Sequence, residues 1–427
     1  MKRHFLPLTA LLCLLFSTSI AQQTAPVHAV TGLSGAPAAS ASNAKPARVS
    51  RHFIPLTTTT PGDTFEDLAP LKAGLANVHI LGAGEGTHGT HEFFDFKHRL
   101  FRFLVEEMGY TVFAIEDGGY GAALIQQYIT TGEGDPKAIL QKEFHDVFQV
   151  QELLGLIEWM RGYNAAHGNR LTFAGFDCQQ LDAFVRGIRE TTDRYGFDGF
   201  LPLTGYTAPE NDTAWQAYFE TRTIADSIVA NMPAKPANIP EKEWEQAVWY
   251  LHNVHAGLRQ FTATENWLRA INIRDSMMAV NVERIATMHP GEKIMLWAHN
   301  GHVGKWHGAM KKYQTLGGHL KKYYGDRYQN LGFTTGSGLY RARSEKDNVM
   351  RSDHPLVAPV PGSIELRLHQ TGLPLLCFST HHLPLKGKLR MIGSIAATQQ
   401  FITKRLKLNG LFDWMVYADQ TSAARGL

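Results

Sequence analysis

The run Val78-His79-Ile80-Leu81-Gly82-Ala83 passes directly into Gly84-Glu85-Gly86-Thr87-His88-Gly89-Thr90 and then into His91-Glu92-Phe93-Phe94-Asp95-Phe96-Lys97. A short apolar run closed by glycines and followed by helical periodicity reads as strand, tight turn and helix. Thr90 is placed to cap the helix with Glu92 in its first turn. Phe93, Phe96, Leu100, Phe103, Leu104 and Met108 recur at helical spacing, and Asp95–Arg99 and Arg102–Glu106 are polar pairs four apart, so the helix has one buried face.

The same alternation continues along the chain. Further strands are expected at Thr111–Glu116, Leu171–Phe176, Lys293–Ala298, Gln329–Thr334, Pro374–Phe378 and Trp414–Ala418, with amphipathic stretches between several of them. Strand–helix alternation predicts an α/β fold with a mostly parallel central sheet flanked by helices. Across residues 198–287 the strand signal vanishes and Trp215, Tyr218, Phe219, Trp244, Trp249, Tyr250, Phe261 and Trp267 sit in long helical segments. This is read as a helical insertion whose rings mostly pack helix against sheet; an aromatic cap over a site is the functional alternative.

The amino terminus does not belong to this pattern. Lys2 and Arg3 precede an apolar run from Phe5 to Phe16, and Ser19 and Ala21 supply small residues for cleavage, so residues 1–21 read as a signal peptide, too short to span a bilayer. Residues 22–50, rich in Ala, Ser, Pro, Thr and Gly, read as a disordered linker. Residues 51–427 then form the folded α/β unit. The expected location is exported, periplasmic or secreted, without stable membrane insertion after cleavage. The 427 residues carry a net charge of +3, falling to +1 once Lys2 and Arg3 are removed, which gives no basic excess for nucleic acid. Cys178 and Cys377 lie in apolar runs and are expected to be free core thiols.

Reactive residues follow the strands. The first strand runs into Glu85 and His88, the second ends at Glu116, the third at Asp177, and the fourth leads into His299-Asn300-Gly301-His302. In a parallel sheet those carboxyl ends share one edge, where open α/β folds bind their ligands. Just before a helix amino terminus, His88 is disfavoured as a cation and suited to accept a proton, and Glu85 could fix its tautomer through the second ring nitrogen. The G-x-G-x-x-G match over Gly84–Gly89 is rejected as a dinucleotide site, because Glu85 would repel a pyrophosphate and Glu116 follows farther on than the roughly 20 residues a ribose contact requires. The set Glu85, His88, Glu116, His299 and His302 has metal-ligand residue types but no standard metal spacing. No G-x-S-x-G elbow is present, so water is the expected nucleophile and no cofactor is called for.

Together, Gly84-Glu85-Gly86-Thr87-His88-Gly89-Thr90-His91-Glu92-Phe93, Leu104-Val105-Glu106-Glu107-Met108-Gly109-Tyr110, Glu116, Gly175-Phe176-Asp177, Arg274-Asp275 with Met278-Ala279 and Asn281, Trp297-Ala298-His299-Asn300-Gly301-His302-Val303 and Phe412-Asp413 resemble the erythromycin esterase family over about residues 60–420. The resemblance implies a metal-independent hydrolase in which a histidine activates water to open a macrolide lactone. Carried over by position, it implies His88 as base, Glu85 and Glu116 as essential acids and His299 as a second pocket histidine. Lys97 stands where the family's drug-resistance esterases carry an arginine, and Gly86 where Ala is more usual.

The expectation is therefore hydrolysis of a carboxylic ester, a macrolide lactone among the candidates, without a covalent intermediate. His88, Glu85, Glu116 and His299 are the expected catalytic residues, with His299 and Lys97 or a backbone N–H at the oxyanion and Glu116 helping to place the water. Lys97, Asp177, His302 and Asn300 are expected to bind substrate. The expected partner is a small-molecule ester and not nucleic acid; the oligomeric state is not legible. A metal-dependent hydrolase using the same cluster, or an exported binding protein for a bulky apolar ligand, are the alternatives.

Overall fold

The computed structural model describes residues 51–427, apart from 63, 207–214, 264–265, 307–311 and 403. The expected signal peptide and linker lie outside the described residues. The strands are β1 (Phe53–Pro55), β2 (Ile80–Ala83), β3 (Tyr110–Gly118), β4 (Thr172–Asp177), β5 (Lys293–Trp297), β6 (Tyr328–Arg343), β7 (Met350–Pro355), β8 (Leu375–Ser379), β9 (Lys386–Gly387), β10 (Leu406–Lys407) and β11 (Trp414–Thr421). Nine of them form one sheet in the order β1-β8-β11-β6-β2-β5-β3-β4, with β7 pairing on β6. The run from β11 to β4 is parallel throughout, and β8 is antiparallel to both its neighbours.

All seven strands expected from the sequence are present. β1, β7, β9 and β10 were not expected: β1 is three residues long, β9 and β10 two each, and β7 is a ribbon with no buried residue on an extended β6, so none carries a long apolar signal.

Helices cover both faces of the sheet. On one face Phe94, Phe101 and Leu104 join Ile125, Leu156 and Met160 over Phe113 and Trp297. On the other, Met278, Val282, Leu316, Leu320 and Leu368 pack over Ile80, Leu296 and Met415. The helix His91–Met108 is buried more widely than one face, since Phe94, Lys97, Arg99 and Phe101 are enclosed as well. Thr90 occupies its capping position, yet its side chain caps nothing and meets the Thr87 hydroxyl at 2.5 Å, while the first helical N–H is satisfied by the Ser422 carbonyl. The Arg102–Glu106 pair forms, whereas Arg99 turns to Asp67 and Asp95 to His91.

Between residues 198 and 288 the regular elements among the described residues are all helices, the long ones being Trp215–Ala230, Glu241–Phe261 and Trp267–Met288. Trp244 and Tyr250 pack with Phe184, Phe200 and Leu251 into a core shared among helices, so these rings join helix to helix rather than helix to sheet. Phe219 and Trp267 are exposed. Cys178 and Cys377 are buried free thiols.

Candidate active site

Two glycines explain how the turn after β2 reaches its shape. A Cβ on Gly84 would land on the Asn300 side chain, and one on Gly89 on the Arg341 carbonyl of β6. The turn is thereby pressed between the β5 and β6 strand ends, and Asn300 N donates to the Glu85 carbonyl at 2.9 Å.

Within the turn, His88 Nδ1 and Glu85 Oε1 are 2.6 Å apart. Glu85 is fully buried, and its other oxygen receives the Lys97 ammonium and the Trp297 indole N–H, the latter at 2.8 Å. Burial alone would raise the Glu85 carboxyl; Lys97 and His88 outweigh it and hold the group below its ordinary value. Burial pushes the Lys97 ammonium down to about 8 against the pull of Glu85. With Glu85 ionised, His88 donates through Nδ1–H and presents Nε2 as a lone pair. About 12% of the His88 side chain is open to solvent, against none for Glu85 or Lys97.

The His299 ring lies over His88, centroids 4.8 Å apart and tilted by 33°. Its Nδ1 accepts from Gly301 N at 3.2 Å and its Nε2–H faces the Ile392 carbonyl at 3.1 Å. Burial first, then the neighbouring His88, pushes His299 down to about 3, so it is a neutral ring. Phe148 meets the His88 ring edge-on at 6.2 Å.

Glu116 forms a second layer. Pairing of β3 with β4 shifts register between Ile115 and Gly118, and the adjacent carboxylates of Glu116 and Asp117 in this stretch meet different partners, Arg274 and the His145 backbone. Glu116 Oε2 accepts from His299 N at 2.7 Å; Oε1 meets Arg274 Nη2 at 2.7 Å and His302 Nε2 at 3.2 Å. Arg274 also grips Asp177 with two hydrogen bonds of 3.0 and 2.7 Å, and His302 Nδ1 lies 2.5 Å from Asp275. Burial opposes charge on His302, but Asp275 and Glu116 hold it up to about 10, an imidazolium at neutral pH. Burial likewise opposes ionisation of Glu116, yet His302 and Arg274 hold that carboxyl well below the usual range.

The expected residues thus converge on one edge, with several placed differently from the expectation. His88, Glu85 and His299 touch; Glu116 joins them through the His299 backbone, with both oxygens already engaged by protein donors. Lys97 stands behind Glu85, enclosed over the Trp297 ring at 4.2 Å, and does not reach substrate space. Asn300 is fully buried and bonds β6 through Phe333 O at 2.7 Å and Phe333 N at 3.1 Å. Asp177 is closed off by Arg274. Arg274 and Asp275 were quoted from the sequence without a site role; they lie among Ile271, Met278 and Val282 on one buried helix face, and a charged pair within that apolar spacing was the available signal. Nothing in the sequence marked Ile392 or Phe148. Among the described residues, no group of three or more His, Cys, Asp or Glu side chains is arranged to hold a metal ion. A cavity of about 1130 Å³ lies between the helices Glu241–Phe261 and Trp267–Met288, and no residue of the His88 cluster lines it.

A carboxylate-held histidine thus stands at the carboxyl edge of a mostly parallel α/β sheet, backed by buried acid–base pairs, where open α/β folds place their ligand sites. The chain belongs to the erythromycin esterase family, whose model matches residues 105–421, and it is an esterase-like hydrolase. It is 24% identical over 365 residues to erythromycin esterase type II of Escherichia coli, covering 76% of this chain and 86% of that one. Among solved structures it is similar to a succinoglycan biosynthesis protein, with a TM-score of 0.72, 24% identity and coverage of 88% of this chain and 96% of that one. It is also similar to a variant of the erythromycin esterase EreC in its open conformation, with a TM-score of 0.64, 17% identity and coverage of 86% and 97%. These solved structures share the fold.

Proposed function

We infer that the protein hydrolyses a carboxylic ester by direct attack of water, with His88 as the general base and macrolide esters as the substrate class that the family name offers. The observation that carries this reading is the 2.6 Å contact between Glu85 Oε1 and His88 Nδ1, which leaves Nε2 as the acceptor on a ring that is partly open to solvent. Water bound at Nε2 loses its proton to the imidazole as its oxygen attacks the ester carbonyl. The imidazolium then returns that proton to the departing alkoxide. Lys97 and Trp297 hold Glu85 in place from behind. Neutral His299 is the neighbouring donor: its Nε2–H would exchange the Ile392 carbonyl for the developing oxyanion. Glu116 fixes the His299 backbone and the His302 imidazolium, which makes it a positioning group instead of a water ligand.

The metal-dependent alternative gains no support from the donors, since Glu116 is committed to Arg274 and His302, and His302 to Asp275. Export after cleavage behind Ala21 is part of the same proposal.

The test is His88→Ala and His88→Gln in purified protein that cleaves an ester. A general base contributes about 10²–10⁴-fold, so both variants should lose at least about 10²-fold in kcat. Activity within a few-fold of wild type in both would rule out this role, and chelator-sensitive turnover would favour a metal. Long incubation with unchanged ester would favour mere binding.

A further inference from the structure

Glu85 holds two ring donors, His88 on Oε1 and Trp297 on Oε2, and one further side chain packs against both of them. Phe148 is 1% exposed; it meets the His88 ring at 6.2 Å between centroids and 85° between planes, and the Trp297 ring at 6.4 Å and 85°. It has no polar atom and takes no part in moving a proton. The hydrogen bond to Glu85 is not enough to fix the base, because the χ2 torsion of histidine is broad and roughly two-fold. A ring held only through Nδ1 is free to tilt, or to turn over and present carbon to the carboxylate. His299 limits the tilt along one face, with centroids 4.8 Å apart, and Phe148 stands across the ring at close to a right angle.

Phe148 is itself held from three directions. It closes the short turn Asp146–Phe148, which joins the helices Pro136–Glu143 and Gln151–His167. The carboxylate of Asp117, buried near the end of β3 and unused by the chemistry at His88, accepts from His145 N at 2.9 Å. From the extension of β6, Arg341 Nη1 donates to the Asp146 carbonyl and Arg343 Nε meets the Asp146 carboxylate, each at 2.6 Å. Residues 424–427 close the third side. There Ala424 N donates to the Gly89 carbonyl at 2.9 Å, Gln151 N to the Arg425 carbonyl at 2.7 Å and Leu427 N to the Gln149 carbonyl at 3.1 Å. These backbone bonds tie the Phe148 turn to the turn that carries His88, so the spacing of the two rings is set by both.

We propose that Phe148 is a positioning residue for the hydrolysis: its ring keeps the His88 imidazole in the orientation in which Nδ1 faces Glu85 and Nε2 is left to water. Its part in the reaction rests on the reading of His88 as the base, whereas the restraint on the ring does not. Truncating Phe148 opens space beside His88 and Trp297. The imidazole then samples orientations and tautomers in which Nε2 carries the proton. A base held out of line fails in the transition state more than in substrate binding, so the loss falls on kcat and not on KM.

The purified chain is compared with Phe148→Ala, Phe148→Leu and Ile129→Ala. Ile129 is buried in the same apolar core, but its carbonyl shares Asn164 Nδ2 with that of Leu171, at the end of β4 opposite Asp177, so its truncation reports loosening of the core alone. In ¹⁵N spectra of the neutral ring, wild type and Ile129→Ala should show a pyrrole-type Nδ1 and a pyridine-type Nε2 at His88. In Phe148→Ala the two shifts should draw together as the tautomers mix, and in Phe148→Leu they should do so less. On an ester, kcat should fall about tenfold in Phe148→Ala with KM within about twofold of wild type, while Ile129→Ala keeps both within about twofold. His88 shifts unchanged in both Phe148 variants, or altered equally in Ile129→Ala, would overturn the proposal. Shifts that respond to Phe148 in a protein that cleaves no ester would remove the hydrolase reading and leave the restraint standing. Ester cleavage with kcat unaltered in both Phe148 variants would remove the role of Phe148 alone.

Discussion

Lys97 decides how the Glu85–His88 pair works. A buried carboxylate with only an imidazole for company would be held by one donor; here the ammonium fixes its second oxygen, and Trp297 adds an N–H. Burial sets Lys97 at about 8, so it loses its proton as pH rises through that value and Glu85 loses its ion partner. The rate of ester hydrolysis is therefore expected to fall above about pH 8. Arg keeps its charge to beyond about pH 12, so Lys97→Arg should carry the decline to higher pH. A pH profile of kcat/KM on both proteins checks this; identical basic limbs would show that Lys97 does not support the pair. The sequence did hold a sign of this role: position 97 falls on the helix among Phe93, Phe94, Leu100 and Phe101, all buried. A lysine there reads either as reaching a ligand or as meeting a buried acid, and the choice depends on Glu85, twelve positions away across the turn.

At the scale of elements, the turn after β2 and the turn after β5 are clasped by Asn300. Its side chain bonds Phe333 N and Phe333 O on β6, and its backbone N–H bonds the Glu85 carbonyl. Asn300→Ala would leave two buried backbone groups of β6 without partners, at about 1–3 kcal/mol each, so a loss of about 2–6 kcal/mol in unfolding free energy is expected. Denaturant unfolding measures it, and a change below about 0.5 kcal/mol would show that the clasp contributes little. Strand-following positions in the sequence were enough to gather Glu85, His88, Glu116 and His299, because a parallel sheet puts their carboxyl ends together. They could not separate groups facing substrate from groups facing one another. Asn300 and Asp177 carry the same residue types either way, and their partners Phe333 and Arg274 come from remote parts of the chain. Strand direction was equally hidden: the apolar run of β8 is indifferent to whether it pairs parallel or antiparallel with β11.

For the molecule as a whole, burial of neutral histidines ties stability to pH. Burial depresses His299 to about 3, and burial, then Arg102, does the same to His98, whose Nε2 is buried without a hydrogen-bond partner among the described residues. A depressed histidine leaves the unfolded chain binding more protons below its ordinary value of 6.5, so each such group makes stability fall as pH drops from about 6.5 towards about 3. His302, held at about 10, is charged in both states over that range and adds no slope there. The contribution is about 1.4 kcal/mol per pH unit for each group, so His98→Leu should lose about 2 kcal/mol less than wild type between pH 7 and pH 5. Urea unfolding at both pH values tests this, and equal losses would contradict it. His98 lies on the same helix as Lys97, outside the cluster around His88, so the comparison leaves the site intact.

The tautomer of His88 underlies every step assigned to it. The ¹⁵N chemical shifts of its ring, read in the neutral form, test this directly. The account predicts a protonated, pyrrole-type Nδ1 facing Glu85 and an unprotonated, pyridine-type Nε2. A protonated Nε2 with a bare Nδ1 would contradict it, because the nitrogen facing the substrate side would then have no lone pair with which to take a proton from water.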